Sequence, residues 1–100
     1  MLEIIRTDND SYQFHLKSAS GGTILKSTPF KDEAKVKDAI STIKNSKESQ
    51  FAFERKTNHE GKFLFEMRNS DGKLIGKSLH YDSEAGMENG IKNLKKAFLG

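Results

Sequence analysis

Tyr12-Gln13-Phe14-His15-Leu16, a stretch that alternates apolar and polar side chains, returns about 51 residues later as Phe63-Leu64-Phe65-Glu66-Met67. The alignment continues without a gap to Ile43 and Leu94. Two copies at this long offset are more typical of a pseudo-symmetric domain than of a solenoid array. Most identical pairs are apolar, glycine or helix-start positions, and the pairs are Glu3/Glu54, Phe14/Phe65, Gly21/Gly72, Ile24/Ile75, Lys26/Lys77, Ser27/Ser78, Glu33/Glu84, Ala34/Ala85 and Ile40/Ile91.

The alternating stretches predict strands with one buried face, because successive side chains of a strand point to opposite faces. In each copy a strand precedes this stretch and another follows it across a glycine turn, at Gly21-Gly22 and at Asp71-Gly72. The Asp-Gly pair accepts the positive φ that a tight hairpin needs. Both third strands carry adjacent apolar residues, which predicts that both of their faces are covered.

A helix is expected after each set of strands. Asp32 and Ser83 are predicted N-caps, and Glu33 and Glu84 follow where the helix dipole favours acid. One apolar stripe then recurs at helical spacing. Its members are Val36, Ala39, Ile40 and Ile43 in the first copy and Met87, Gly90, Ile91, Leu94, Ala97 and Phe98 in the second.

The predicted fold is α+β, with two tandem β-β-β-α repeats that form one antiparallel sheet with two helices packed on it. Repeat one spans 1–47 and repeat two spans 51–98, within a single pseudo-symmetric domain over 1–100. Two independent units of about 50 residues would each be barely stable, because small units bury a small share of their surface. The segment 45–50 is the predicted linker.

Composition excludes several classes of function. The chain has 100 residues and no cysteine, which removes disulfides, thiolate nucleophiles and zinc–sulfur sites. The start is acidic early and lacks an apolar run, which is not typical of a signal peptide, and no segment has the length of a membrane span. A cytoplasmic protein is therefore expected. The net charge of +3 comes mostly from lysine and is spread over both halves.

The run Gly22-Thr23-Ile24-Leu25-Lys26-Ser27, with Phe30 beyond it and 34–40 in the helix, resembles the YegP-like proteins. Gly72-Lys73-Leu74-Ile75-Gly76-Lys77-Ser78, followed by Tyr81, Ser83 and 88–91, is closer still. The resemblance covers nearly the whole chain. It implies three-strand-plus-helix units, tandem or dimeric, in a single sheet with strands exchanged between the halves, and it implies no particular biochemical activity. The first copy departs from the pattern at Pro29 and at Ala39, which stands where the second copy has Gly90.

Few side chains could carry chemistry. His15, His59 and His80 have no histidine or carboxylate at metal-ligand spacing on the same element, so surface histidines are expected. Ser27 and Ser78 each follow a lysine, but neighbouring strand residues face opposite ways and cannot form a Ser–Lys dyad. A hydroxyl that binds backbone at the strand end is the favoured interpretation. We predict no catalytic residue, no metal ligand and no cofactor.

The other repeated positions are interpreted as structural. Gly21 and Gly72 lie in strand-to-strand turns, whereas a phosphate-binding loop joins a strand to a helix. Phe30 and Tyr81 are expected to anchor a helix to the sheet, and Gly90 to permit close approach of a helix. The sequence predicts that the outward strand positions carry no aromatic residue; they are Gln13, His15, Lys17, Leu64, Glu66 and Arg68.

The functional prediction is a non-enzymatic binding or interaction module in the cytoplasm. The alternative is weak, sequence-independent nucleic-acid binding by charge, through helix lysines that could hold a polyanion. These are Lys35, Lys37, Lys92, Lys95 and Lys96. Solvated helix faces explain the same lysines and are the preferred interpretation. Unpaired sheet edges make a homodimer a further candidate assembly. No membrane association is expected.

Overall fold

The structure is a computed structural model that describes residues 2–99 apart from the side chain of Glu48. Met1 and Gly100, the ends of the predicted domain, lie outside the described residues. The chain forms, in order, β1 (Leu2–Arg6), β2 (Tyr12–Lys17), β3 (Thr23–Ser27), α1 (Glu33–Lys44), a 3-10 turn (Glu48–Gln50), β4 (Phe51–Thr57), β5 (Phe63–Asn69), β6 (Leu74–Ser78) and α2 (Glu84–Phe98).

All six strands form one antiparallel sheet in the order β1-β2-β3-β6-β5-β4. The predicted α+β class, with an antiparallel sheet and two helices, is confirmed. The implied exchange of strands between the halves is wrong, because β1–β3 stay together and so do β4–β6. The halves meet where β3 pairs with β6, with Lys26 opposite Lys77, Leu25 opposite Ser78 and Ser27 opposite Gly76.

A β-bulge in each half explains the adjacent apolar residues of the third strands. Leu25 pairs with Leu16 and Thr23 with Lys17, so Ile24 is an extra residue in β3. Ile24 and Leu25 both lie in the core, at 5% and 0% exposure. The prediction that both faces of these strands are covered is therefore wrong for β3, since a bulge brings neighbouring side chains to the same side.

Turns and caps agree with the residue types that stand there. Gly21 and Gly72 have φ of 91° and 83°, the left-handed conformation that the hairpins require. Asp32 Oδ1 accepts from the backbone N–H of Lys35 at 2.8 Å, and Ser83 Oγ accepts from Gly86 at 3.0 Å. Both predicted N-caps are confirmed. The 3-10 turn inside the predicted linker had no signal in the sequence.

The hydrophobic core lies between the helices and one face of the sheet. Fully buried members are Phe14, Leu16, Leu25, Val36, Phe65, Met67 and Leu94. Two details of the predicted helix stripe differ: Ala97 is exposed, and Leu99, beyond the helix end, is buried at 4%. Neither α1 nor α2 is long and apolar enough to span a bilayer.

Gly76 marks the place where the two halves cannot be identical. A Cβ on Gly76 would lie 2.5 Å from the backbone oxygen of Lys26 and 3.0 Å from the Cδ2 atom of Leu25. Leu25 is the residue that aligns with Gly76 in the first copy. Since the Leu25 side chain already fills the seam between β3 and β6, a second large side chain has no space there.

Candidate functional site on the open face of the sheet

The sheet face opposite the helices carries a row of ionisable side chains that crosses all six strands. Each member is the direct cross-strand neighbour of the next. From β1 to β4 the row runs Glu3, His15, Lys26, Lys77, Glu66 and Glu54. Successive side chains of such a row lie close enough to interact, because paired Cβ atoms in antiparallel sheets are about 5 Å apart. We call this surface the open face.

In the second half the cations of the open face form ion pairs around Glu66. This carboxylate is buried, and Arg68 Nη2 donates to it at 2.7 Å. Lys56 and Lys77 approach it at 3.3 and 3.6 Å. Glu54 adds contacts to Arg68 and Lys56. Lys56, Arg68 and Lys77 therefore each have a carboxylate partner.

Ion pairing also keeps Glu66 charged despite its position. Burial raises the pKa of the Glu66 carboxyl, but hydrogen bonds from Arg68 and Lys56, together with the charges of Lys56 and Lys77, outweigh it. The pKa of Glu66 consequently lies below its ordinary value. A buried carboxylate with several donors is a stable structural anion rather than a proton donor at neutral pH.

The first half places a histidine where the second half places this carboxylate. His15 stands opposite Lys26 as Glu66 stands opposite Lys77. Burial lowers the pKa of His15, the charges of Lys26 and Lys17 lower it further, and Glu3 opposes them. Lys17 has Glu3 as a partner at 3.0 Å. Among the described side chains, no carboxylate lies within 4 Å of the Lys26 ammonium group.

The centre of the open face is thus a pair of like charges at the junction of the halves. Lys26 and Lys77 are direct cross-strand partners, and both are exposed. Beside them lies a cleft of about 270 Å³. Its lining residues are Gln13, Lys26, Ser27, Thr28, Pro29, Leu74, Gly76 and Lys77. The sequence shows that Lys26 and Lys77 are identical repeat positions but does not single them out, because they become neighbours only when β3 pairs with β6.

The two serines have structural roles. Ser27 Oγ accepts from the backbone N–H of Phe14 at 2.9 Å and donates to the carbonyl of Thr28 at 2.8 Å. Ser78 Oγ makes the same bonds, with Phe65 at 2.9 Å and Leu79 at 2.7 Å. Both side chains are buried on the core face, away from the lysines that precede them. The interpretation of strand-end hydroxyls bound to backbone is confirmed.

The histidines and acidic residues do not assemble into a metal site in the described part of the chain. His15 is half-buried on a strand, while His59 and His80 are exposed in a turn and before α2. Among the side chains that the structure describes, no three histidine, aspartate or glutamate residues are placed to hold a metal ion.

Phe30 and Tyr81 anchor the strand-to-helix connections as expected. The Phe30 ring stacks on Phe14 with centroids 6.3 Å apart, and Tyr81 stacks on Phe65 at 6.4 Å. A Cβ added to Gly90 would lie 2.3 Å from the Tyr81 hydroxyl oxygen, so glycine permits the close approach of α2. The first half has Ala39 and Phe30 at the aligned positions. In that half, the methyl group of Ala39 is present and the aromatic ring of Phe30 has no hydroxyl group.

The five helix lysines are not gathered into one site. Lys37 pairs with Glu33 on α1 at 2.9 Å. Lys95 lies over the Phe53 ring at 5.2 Å, toward β4, whereas Lys96 lines a cleft beside the β2–β3 turn. Lys35 and Lys92 are exposed on different helices. Binding of a polyanion by these residues stays a prediction.

The sheet edges, candidates for a homodimer contact, are β1 and β4. On β4, Arg55 Nη1 donates to the carbonyl of Phe53 at 3.1 Å, and the same guanidinium pairs with Glu88 of α2. This side chain therefore occupies a backbone acceptor of β4. A homodimer through the edges stays a prediction.

Comparisons with known proteins agree with the fold. A family described as a domain of unknown function, DUF1508, matches residues 58–98. The UPF0339 protein YegP of Yersinia pestis is 30% identical, with 94% of this chain and 84% of the relative covered. YegP of Shigella flexneri is 28% identical, with 93% and 84% covered.

Two solution NMR structures show the same architecture. The yegP protein of Escherichia coli, described as a protein of unknown function, is 27% identical with a TM-score of 0.80, covering 94% of this chain and 81% of that one. UPF0339 protein SO3888 of Shewanella oneidensis is 25% identical with a TM-score of 0.81, covering 95% and 80%. The 30% identity over most of both chains, with the same architecture in two solved structures, shows that the chain belongs to the UPF0339 family, the family of the YegP proteins.

Proposed function

We propose that this protein is a non-enzymatic binding module that takes an anionic ligand on the open face of its sheet. The observation that carries the proposal is the position of Lys26. It faces a second lysine on one side and a histidine on the other, and none of the described carboxylates is its partner. Like charges placed directly opposite each other destabilise a sheet, and a bound anion would remove this cost.

The absence of a suitable nucleophile arrangement on the described residues supports a binding role over catalysis. The Ser27 and Ser78 hydroxyls are fully engaged with backbone groups on the core face. The open face offers ammonium groups, a neutral imidazole and carboxylates held by cations. Of these, the ammonium groups can bind an anion by charge-assisted hydrogen bonds, with no bond made or broken in the ligand.

An amide-resolved NMR titration with short-chain inorganic polyphosphate tests the proposal, first at low salt and then at raised salt. We expect salt-sensitive shifts that cluster on β2, β3 and β6 around Lys26 and Lys77. Shifts confined to α1 and α2 would contradict the proposal and favour the alternative, nucleic-acid binding through the helix lysines. No shifts at low salt would remove both.

A further inference from the structure

The charge pattern of the open face also indicates what kind of anion fits. Within the cross-strand row, the two lysines lie on β3 and β6, whereas Glu3 lies at one end and Glu66 and Glu54 at the other. Neighbouring strands are about 4.8 Å apart, so the zone that the two lysines occupy is only about 10 Å wide. A polymer with a charge on every unit would meet these carboxylates if it crossed the sheet.

The side chains around the cleft favour a polar group over a flat ring. The cleft adjoins Lys26, Lys77 and Gln13, and its volume of about 270 Å³ suits a small molecule. Among the described residues, no aromatic side chain lines the cleft or belongs to the cross-strand row. Single-stranded nucleic acids are usually held by stacking of bases on aromatic rings, and this face offers none in its described part.

We infer that Lys26 and Lys77 together bind the phosphate group of a small phosphomonoester, with one ammonium group from each half on the same dianion. The inference rests on the proposed function and adds the ligand class. A phosphomonoester carries close to two negative charges at neutral pH, which matches two facing lysines. Charge-assisted bonds from lysine to phosphate are among the stronger hydrogen bonds in proteins.

The replacement of a carboxylate by His15 explains why the lysine of the first half lacks the ion pair that the lysine of the second half makes. At the aligned position Glu66 gives Lys77 an internal anion at 3.6 Å, and His15 gives Lys26 none. Replacement of His15 by glutamate would supply the missing carboxylate from the protein itself. The resulting variant keeps both lysines and should still lose the phosphate.

The test is a titration with inorganic phosphate and, separately, with acetate at constant ionic strength, followed by NMR. We expect saturable binding of phosphate and none of acetate. Lys26→Met and Lys77→Met should each weaken phosphate binding by about tenfold, since a bond to a charged group contributes that much. His15→Glu should weaken it to the same degree. Lys35→Met and Lys92→Met, which change exposed helix lysines, should bind as the unaltered protein does.

Three outcomes would overturn the inference. Phosphate that fails to saturate, or that binds Lys26→Met unchanged, excludes the two-lysine site. Binding of polyphosphate to the open face without binding of monophosphate shows that the ligand is a polymer. Each of these leaves the proposed function standing if polyphosphate still shifts β2, β3 and β6. All the altered lysines are exposed, so their replacement should leave the fold intact. The amide spectrum of each variant checks this.

Discussion

The hydroxyl of Ser27 shows how a single side chain closes a strand end. It satisfies the buried backbone N–H of Phe14, a group with no access to water. Ser27→Ala would leave this donor without a partner, and an unsatisfied buried group costs about 1–3 kcal/mol. We expect a loss of unfolding free energy in that range, measured by urea denaturation, and a similar loss for Ser78→Ala through Phe65.

The control for this prediction is Ser20→Ala, which removes an exposed hydroxyl from the β2–β3 turn. Its stability should change by less than about 0.5 kcal/mol, as surface substitutions usually do. Equal effects at positions 20 and 27 would contradict a structural role for the Ser27 hydroxyl.

His15 makes the stability of the protein depend on pH. Its pKa is lowered from 6.5 by burial and by Lys26 and Lys17. In the unfolded chain the imidazole takes up a proton near pH 6.5, but in the folded protein it does so only at lower pH. The contribution of His15 is therefore fully present above pH 6.5 and is lost as pH falls through the folded-state pKa.

Urea denaturation of the protein and of His15→Gln, at about pH 7.5 and about pH 5, measures this contribution. We expect the unaltered protein to lose more unfolding free energy on acidification than the variant. Lys26→Met should raise the pKa of His15 in an NMR titration. A His59→Gln variant, changed at an exposed turn, should behave as the unaltered protein. An unchanged His15 pKa in Lys26→Met would contradict the proposed repulsion.

At the scale of elements, the contact between α2 and the strand-to-helix connection predicts a coupled substitution. Gly90→Ala would place a methyl group 2.3 Å from the Tyr81 hydroxyl oxygen. Overpacking of this kind costs about 1–3 kcal/mol and exceeds the helix-propensity gain of alanine. Tyr81→Phe removes the hydroxyl and should restore part of the loss, since Phe30 and Ala39 coexist in the first half.

A double-mutant cycle on the free energy of unfolding measures the coupling between positions 81 and 90. We expect the double variant to be more stable than the sum of the single changes predicts, by about 0.5 kcal/mol or more. Gly22→Ala is a matched control, because its added methyl group would be 3.6 Å from the nearest side-chain atom. Additive effects at 81 and 90 would contradict the packing argument.

Features that depend on interactions between residues near in sequence were predicted, and features that depend on residues far apart were not. Alternation, caps and glycine turns are local, and they gave the strands, both N-caps and the positive φ of Gly72. The bulge at Ile24 was missed because adjacent apolar residues are equally compatible with a strand buried on both faces. Periodicity alone cannot separate these cases.

The candidate site could not be predicted from local sequence patterns, because it depends on contacts between distant parts of the chain. Lys26 and Lys77 are far apart in the sequence, and only the pairing of β3 with β6 brings them together. The identity of Lys26 and Lys77 in the two repeats was a usable signal, because equivalent residues can meet at an approximate twofold axis between β3 and β6. Strand order in a sheet depends on long-range packing, so the sequence alone predicted the charged surfaces on the helices instead of this one.

At the scale of the whole molecule, the seam between β3 and β6 joins two halves that share one core. Leu25, at 0% exposure, packs against Gly76 of the other half. Two clefts are also lined by residues of both halves. The cleft beside α1 includes Asn69 and Leu74 of the second half, and the cleft beside α2 includes Ser18 of the first half. Each helix therefore lies next to a turn of the opposite half, and neither half has a complete set of neighbours by itself.

We therefore predict that the protein unfolds in a single cooperative transition. Leu25→Ala should lower the unfolding free energy by about 2–5 kcal/mol, the usual cost of a cavity in a core. The loss should appear equally at Leu16 and at Met67, because separate halves of about 50 residues bury too little surface to persist alone. Methyl signals followed by NMR through a urea titration provide the measurement, with exposed Lys35→Met as the control. A Met67 midpoint that stays unchanged while Leu16 unfolds early would show that the halves are independent.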